Sequence, residues 1–134
     1  MEYALVQNQI KELPKHYNVV KNLFKDAQSL ALSIAYITNG GINLLLGDIK
    51  KIVENGGEVR IICDDSEATH PQAIKKLLDV GAQIKVYKPD AGILHTKIWL
   101  VKKDNTWHCL IGSANCTKSA LFDNVEASVS FNVK

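Results

Sequence analysis

LHTKIWLVKKDNTWHCLIGSANCTKSALFDNVEAS, residues 94–128, is the stretch on which the reading of this chain turns. LHTKIWLV reads as a β-strand, and a strand sends residues i and i+2 to the same face. His95 and Lys97 are therefore expected to project together, with Trp99 and Val101 further along that face and Thr96, Ile98 and Leu100 on the other. Lys103-Asp104-Asn105 supplies turn residues, and TWHCLI reads as the return strand of a hairpin. It runs into Gly112-Ser113-Ala114-Asn115, a turn of small residues that can bring backbone N–H groups close to an anion. An imidazole, an ammonium, a hydroxyl and a carboxamide thus gather at one end of a hairpin, a set suited to handling phosphate. Singly these parts are ordinary: a strand histidine is usually packed in a core, a lysine usually reaches solvent, and a Gly-Ser turn is common loop chemistry. Their order and spacing are what set them apart.

His-x-Lys at 95–97, Gly-Ser-x-Asn at 112–115 and Asn-x-Glu at 124–126 together resemble the phospholipase D superfamily. The likeness is greatest to nuclease-type members found as restriction-enzyme or helicase-associated domains. The motifs cover the last 40 or so residues, and the order of elements upstream fits as well. One departure stands out: the family's fullest motif continues with an Asp where this chain has Lys102. Nuclease-like members often lack that Asp, so the departure argues against a lipase.

The chemistry follows from the residue types. A neutral imidazole can attack phosphorus if its proton sits on one nitrogen and its lone pair faces the phosphorus atom. His95 is the candidate nucleophile. Glu126, on the polar face of the last strand, is the candidate to fix the tautomer by accepting the His95 N–H. Lys97 and Asn115 would hold the non-bridging oxygens, and Ser113 could add a hydroxyl donor. The resemblance further implies two His-x-Lys motifs meeting across a twofold axis, one histidine forming a phosphohistidine and the other serving as acid and then base. This chain has one copy, since His16, His70 and His108 lack a lysine two positions on. The resemblance therefore implies a metal-independent phosphodiesterase, a DNA nuclease foremost, working as a homodimer without cofactor or metal ligands. The alternative is a nucleic-acid-binding or assembly module of a larger helicase or restriction protein, with little or no catalysis.

Composition fits one soluble domain over 1–134, alone or within a longer polypeptide. At 134 residues, 46% hydrophobic and 22% charged, the chain is long enough for a real core. No apolar run approaches the roughly 20 residues that span a bilayer, and no signal peptide opens the chain. Cys63, Cys109 and Cys116 show neither pairing nor metal spacing, which implies buried free thiols in a reducing, cytoplasmic compartment. A net charge of +2 does not by itself mark a nucleic-acid binder, but fifteen Lys against the single Arg60 suit backbone contacts better than base reading.

Upstream, YALVQNQI suggests a short strand. Leu13, Tyr17, Val20, Phe24 and Ala27 recur at helical spacing, with Pro14 early, where a first turn tolerates it. LALSIAYI is a strand covered on both faces, and Thr38-Asn39-Gly40-Gly41 breaks it. Ile42, Leu45, Leu46, Ile49, Ile52 and Val53 mark a second helix ended by Gly56-Gly57. EVRIIC is a strand, Thr69-His70-Pro71 opens a third helix that Gly81 closes, and QIKVY is a strand. VEASVSFNV then places Val125, Ala127, Val129, Phe131 and Val133 on one face and Glu126, Ser128, Ser130 and Asn132 on the other. The expected fold is α/β, a mixed and largely parallel β-sheet flanked by helices. Loops 36–41 and 64–70 would rim the site. The acids Asp64, Asp65 and Glu67 with His70 also admit a Mg²⁺ site, although acids before a helix usually serve its dipole.

Overall fold

Each periodic segment takes up the element its pattern demands, with shifts at the ends that have identifiable causes. The computed structural model describes residues 2–134. Its elements are β1 (Tyr3–Gln7), α1 (His16–Phe24), β2 (Ser29–Ile34), α2 (Asn39–Glu54), β3 (Glu58–Asp64), α3 (Pro71–Asp79), β4 (Gln83–Tyr87), β5 (Lys97–Lys103), β6 (Thr106–Gly112), α4 (Lys118–Phe122) and β7 (Ala127–Val133).

The strands form one sheet in the order β1-β7-β6-β5-β2-β3-β4. Five of them run in one direction and β5 and β7 oppose them. Because those two are interleaved, only the β2–β3 and β3–β4 pairings are parallel, and the other pairings are antiparallel. The mixed sheet is thus parallel in strand direction more than in pairing. The carboxyl ends of β2, β3 and β6 and the amino ends of β5 and β7 all meet at one edge, which is where the site lies.

α1 begins at His16, later than its stripe suggests. The Pro14 carbonyl is taken by the Gln7 N–H (3.2 Å), and the side chain of Asn8 accepts the His16 N–H (3.0 Å), a cap supplied from outside the local sequence. Thr38-Asn39-Gly40-Gly41, read as a break, is the start of α2: Thr38 caps it by accepting the Gly41 N–H (3.2 Å). A Cβ on Gly41 would fall 2.1 Å from the Cys116 carbonyl oxygen, so only glycine lets the helix approach the strand-to-α4 connection this closely. The short helix α4 has no counterpart in the sequence reading, because five residues are too few to show a period.

The helices pack beside one another on a single face of the sheet. Between them and the sheet lies the core, with Phe24 tilted against Trp99 (6.1 Å between ring centroids) and Leu30, Ile34, Leu45, Ile49, Leu77 and Leu110 fully buried. β2, expected to be covered on both faces, is covered on one: Leu30, Leu32 and Ile34 are buried, while Ser29, Ala31 and Ser33 are half-buried on the helix-free face. That face carries rows of side chains in register, Leu5-Val129-Ile111-Ile98 and Tyr3-Phe131-Cys109-Leu100. β7 alternates as read, but its polar set points inward. Ser128 is 4% exposed under α1, and its neighbour Val129 is 38% exposed. All three cysteines are free and buried.

Candidate active site

Lys97 is the first residue of β5 and His95 lies just before the strand, so the pair is not a strand-face pair as the spacing suggested. The link between them is direct instead: Lys97 Nζ donates to the His95 carbonyl oxygen (2.9 Å). His95 is exposed, and Lys97 is 9% exposed. Burial lowers the Lys97 pKa from its ordinary value, and the negative charge of Glu126 partly opposes that. The ammonium is mostly buried and its hydrogen bond goes to a neutral carbonyl, so its positive charge remains available to an incoming anion.

The strand tail beyond β2 holds the other parts in place. Ala35 N–H donates to the Thr96 carbonyl (2.8 Å), and Cys116 N–H donates to that of Tyr36 (3.2 Å). The Tyr36 N–H donates to Asn115 Oδ1 (3.0 Å), which fixes the amide so that its N–H₂ is what Asn115 offers a ligand. The Tyr36 ring meets that of His95 edge-on, with centroids 6.0 Å apart. Tyr36 entered the sequence reading only as the start of a rim loop. Nothing in its spacing signals that it would touch both the imidazole and the carboxamide.

Ser113 and Glu126 close the set. The Ser113 hydroxyl donates to the Glu126 carboxylate, and Ser113 Oγ accepts the Ala127 N–H (3.0 Å). The Ser113 N–H returns a bond to the Ala127 carbonyl (3.1 Å). Asn124 Nδ2 donates to the other carboxylate oxygen of Glu126 (3.4 Å). The hydrogen bonds of Glu126 therefore go to Ser113 and Asn124 in this structure, rather than to the His95 ring. Lys102 lies at the opposite end of β5, paired with Ser29, its ammonium 6.0 Å from the centre of the Trp107 ring. That position does not reach the site within this chain.

Asp64 and His70 of the 64–70 loop have structural partners. Asp64 Oδ1 accepts the Leu94 N–H (2.9 Å), which steadies the approach to His95. His70 Nδ1 accepts the Asn39 N–H at the start of α2 (3.0 Å). Among the described residues no group of three or more His, Cys, Asp or Glu side chains is arranged to hold a metal ion. No helix among them is long and apolar enough to cross a membrane.

The family described as "Cardiolipin synthase, PLD-like domain" matches residues 20–133, most of the chain. The chain belongs to the phospholipase D superfamily. Solved structures agree in fold. NucT from Helicobacter pylori matches at a TM-score of 0.69 and 21% identity, over 96% of this chain and 84% of that one. The phospholipase D family member Nuc from Salmonella typhimurium matches at 0.69 and 18%, over 96% and 82%. TrmBL2, an archaeal chromatin protein, matches at 0.55 and 14%, over 98% and 45%. No curated protein matches the chain. Within this phospholipase D-like domain, the motif residues His95, Lys97, Ser113, Asn115 and Glu126 all sit at the one sheet edge.

Proposed function

We propose that this chain is a metal-independent phosphodiesterase, a DNA nuclease foremost, that works through a phosphohistidine on His95 in a site completed by a second copy. The observation that carries the reading is the convergence of an exposed imidazole, a nearly dry ammonium and an oriented carboxamide at one edge of the sheet. His95 attacks phosphorus: an N–P bond forms and the P–O bond to the leaving group breaks. The departing oxygen takes a proton from His95 of the second copy. That second imidazole, now neutral, removes a proton from water; the water oxygen attacks phosphorus and the N–P bond breaks, freeing His95. Lys97 and Asn115 hold the non-bridging oxygens as charge builds on them. Catalytic hydrogen bonds often form only with substrate present, so the tie of Glu126 to Ser113 is compatible with a later role beside His95. DNA is favoured over lipid by the family likeness to nucleases and by Lys102 at the motif Asp position.

A second reading has one observation in its favour: Glu126 is engaged by Ser113 and Asn124 and leaves the His95 ring without a carboxylate. A phosphate-binding module without turnover would need no more than that. Cleavage of DNA, RNA and a phospholipid in EDTA, by wild type and His95→Ala, decides between them. Turnover in chelator that is lost with His95, together with an acid-labile phosphoenzyme, is the expected result. Dependence on Mg²⁺, or activity surviving His95→Ala, would sink the mechanism. Salt-sensitive DNA binding without cleavage would leave the binding module.

A further inference from the structure

His16 is 0% exposed, and its ring has a partner on each nitrogen. Nδ1 lies 2.9 Å from Asn8 Oδ1, and Nε2 lies 2.8 Å from Ser128 Oγ. The tautomer follows from the surroundings. Asn8 Nδ2 donates to the carbonyls of Ala120 (2.7 Å) and Asn124 (3.0 Å), which fixes the amide and leaves Oδ1 as acceptor only. His16 Nδ1 therefore carries a proton, and in the neutral ring Nε2 accepts from the Ser128 hydroxyl. Burial lowers the pKa of the ring, and the negative charge of Glu126 partly opposes this.

Both ends of this network grip the segment that carries Glu126. Asn8 holds the Asn124 carbonyl two residues before it, and His16 holds the Ser128 hydroxyl two residues after it. Between these anchors Val125 is 87% exposed, and Glu126 and Ala127 are bonded to Ser113. Across the sheet Ser128 pairs with Gly112, where a Cβ would lie 2.2 Å from Ser128 Oγ. The glycine that opens the Gly-Ser-x-Asn turn thus leaves room for the hydroxyl that His16 orients.

We propose that Asn8, His16 and Ser128 form a buried clamp that sets the position of Glu126 and of its Ser113 partner, and so act as positioning residues for the site. The inference rests on the phosphodiesterase reading for its kinetic consequence, but the clamp itself can be tested without activity. α1 and β1 carry no motif residue, so the clamp gives the amino-terminal part of the chain a role in the chemistry.

The test compares Ser128→Ala, Ser128→Thr and His16→Gln in the full chain. Amide hydrogen exchange at Ala127 and Ser113 reads the clamped segment, with β2 and β3 amides as the control for global stability. Ser128→Ala and His16→Gln are expected to speed exchange at Ala127 and Ser113 while β2 and β3 stay protected. Unchanged exchange at those two amides would overturn the clamp whatever the activity. In the DNA assay, a misplacement of about 1 Å costs on the order of 100-fold. A fall of about 10-fold to 100-fold in kcat with KM held is therefore expected, and Ser128→Thr, which keeps the hydroxyl, should restore most of it. Wild-type kcat in Ser128→Ala, beside a dead His95→Ala, would refute the positioning role. A wild type without turnover would refute the phosphodiesterase reading and leave the clamp to the exchange data.

Discussion

The sheet divides between β5 and β2 into two halves that use burial differently. The parallel half, β2-β3-β4 with α2 and α3, buries mainly aliphatic side chains: Leu30, Leu32, Ile34, Leu45, Ile49, Ile61, Ala73 and Leu77. Its two buried polar side chains, Asp64 and Thr69, bond backbone groups at the site end. The antiparallel half, β5-β6-β7-β1 with α1 and α4, holds Asn8, His16, Lys97 and Ser128 in the interior and every motif residue at its edge. Burying polar groups adds little net stability even when they are bonded, because each bond replaces one to water. What a satisfied buried network supplies is a defined geometry. The contrast teaches that apolar burial holds this fold together, while polar burial is placed where side chains must be held to a fraction of an ångström.

The contrast can be broken by a substitution at the edge of the antiparallel half that costs stability, or by one in the parallel core that affects chemistry. The largest expected effect is on the rate. His95→Ala should lose on the order of 10⁴-fold or more in kcat/KM, since removing a nucleophile forfeits the whole covalent route. As His95 is exposed, its thermal midpoint should match wild type in calorimetry. A large drop in midpoint would show that the edge is part of the stabilising core.

Lys97→Met comes next. It keeps the buried stem and removes the ammonium that faces charge developing in the transition state. A loss of about 10²- to 10³-fold in kcat is expected, the usual effect of removing one such donor. Because burial strips hydration from the Lys97 ammonium and its hydrogen bond goes to a neutral carbonyl, the fold should gain rather than lose stability. Denaturant titration checks the sign, and a destabilised Lys97→Met would mean the ammonium is neutralised better than its bonds suggest.

In the other half, Leu77→Ala should cost about 2–5 kcal/mol of folding stability through a cavity under α3. The kcat of its folded fraction should stay within a few-fold of wild type. Urea unfolding and a rate measured well below the transition check both statements. A matching loss of kcat would mean that the two halves are not separate in their tasks.

The same division decided what was legible in the sequence. The parallel half was readable because aliphatic periodicity reports burial directly: Ile42 through Val53 and EVRIIC fall where their patterns put them. The motif spacing brought His95, Lys97, Ser113, Asn115 and Glu126 to one edge, yet spacing carries no bond directions. It left open that Lys97 reaches back to a carbonyl and that Ser113 turns to Glu126. Ser128 and His16 are polar residues whose burial depends on each other across most of the chain, and no local pattern reports such a pairing. The inward-facing polar side of β7 was hidden for that reason.

The smallest expected effect concerns pH and is read on folding stability alone. Burial lowers the His16 pKa below its ordinary 6.5, and the charge of Glu126 only partly offsets this. The unfolded chain therefore binds more protons at this residue than the folded one between the lowered value and 6.5. Stability must rise with pH through that window, and it falls as pH drops through 6.5 and on below the folded value, where the full penalty applies. His16→Gln removes the titrating ring, so its stability should depend less steeply on pH between about 7.5 and 5. Carboxylates contribute to both proteins alike, so the difference between their urea-unfolding curves isolates His16. Parallel curves would mean that the ring takes up its proton as readily inside as outside. The Ser128 hydroxyl would then accept from a charged imidazole, and the antiparallel half would hold a cation where a neutral clamp is expected.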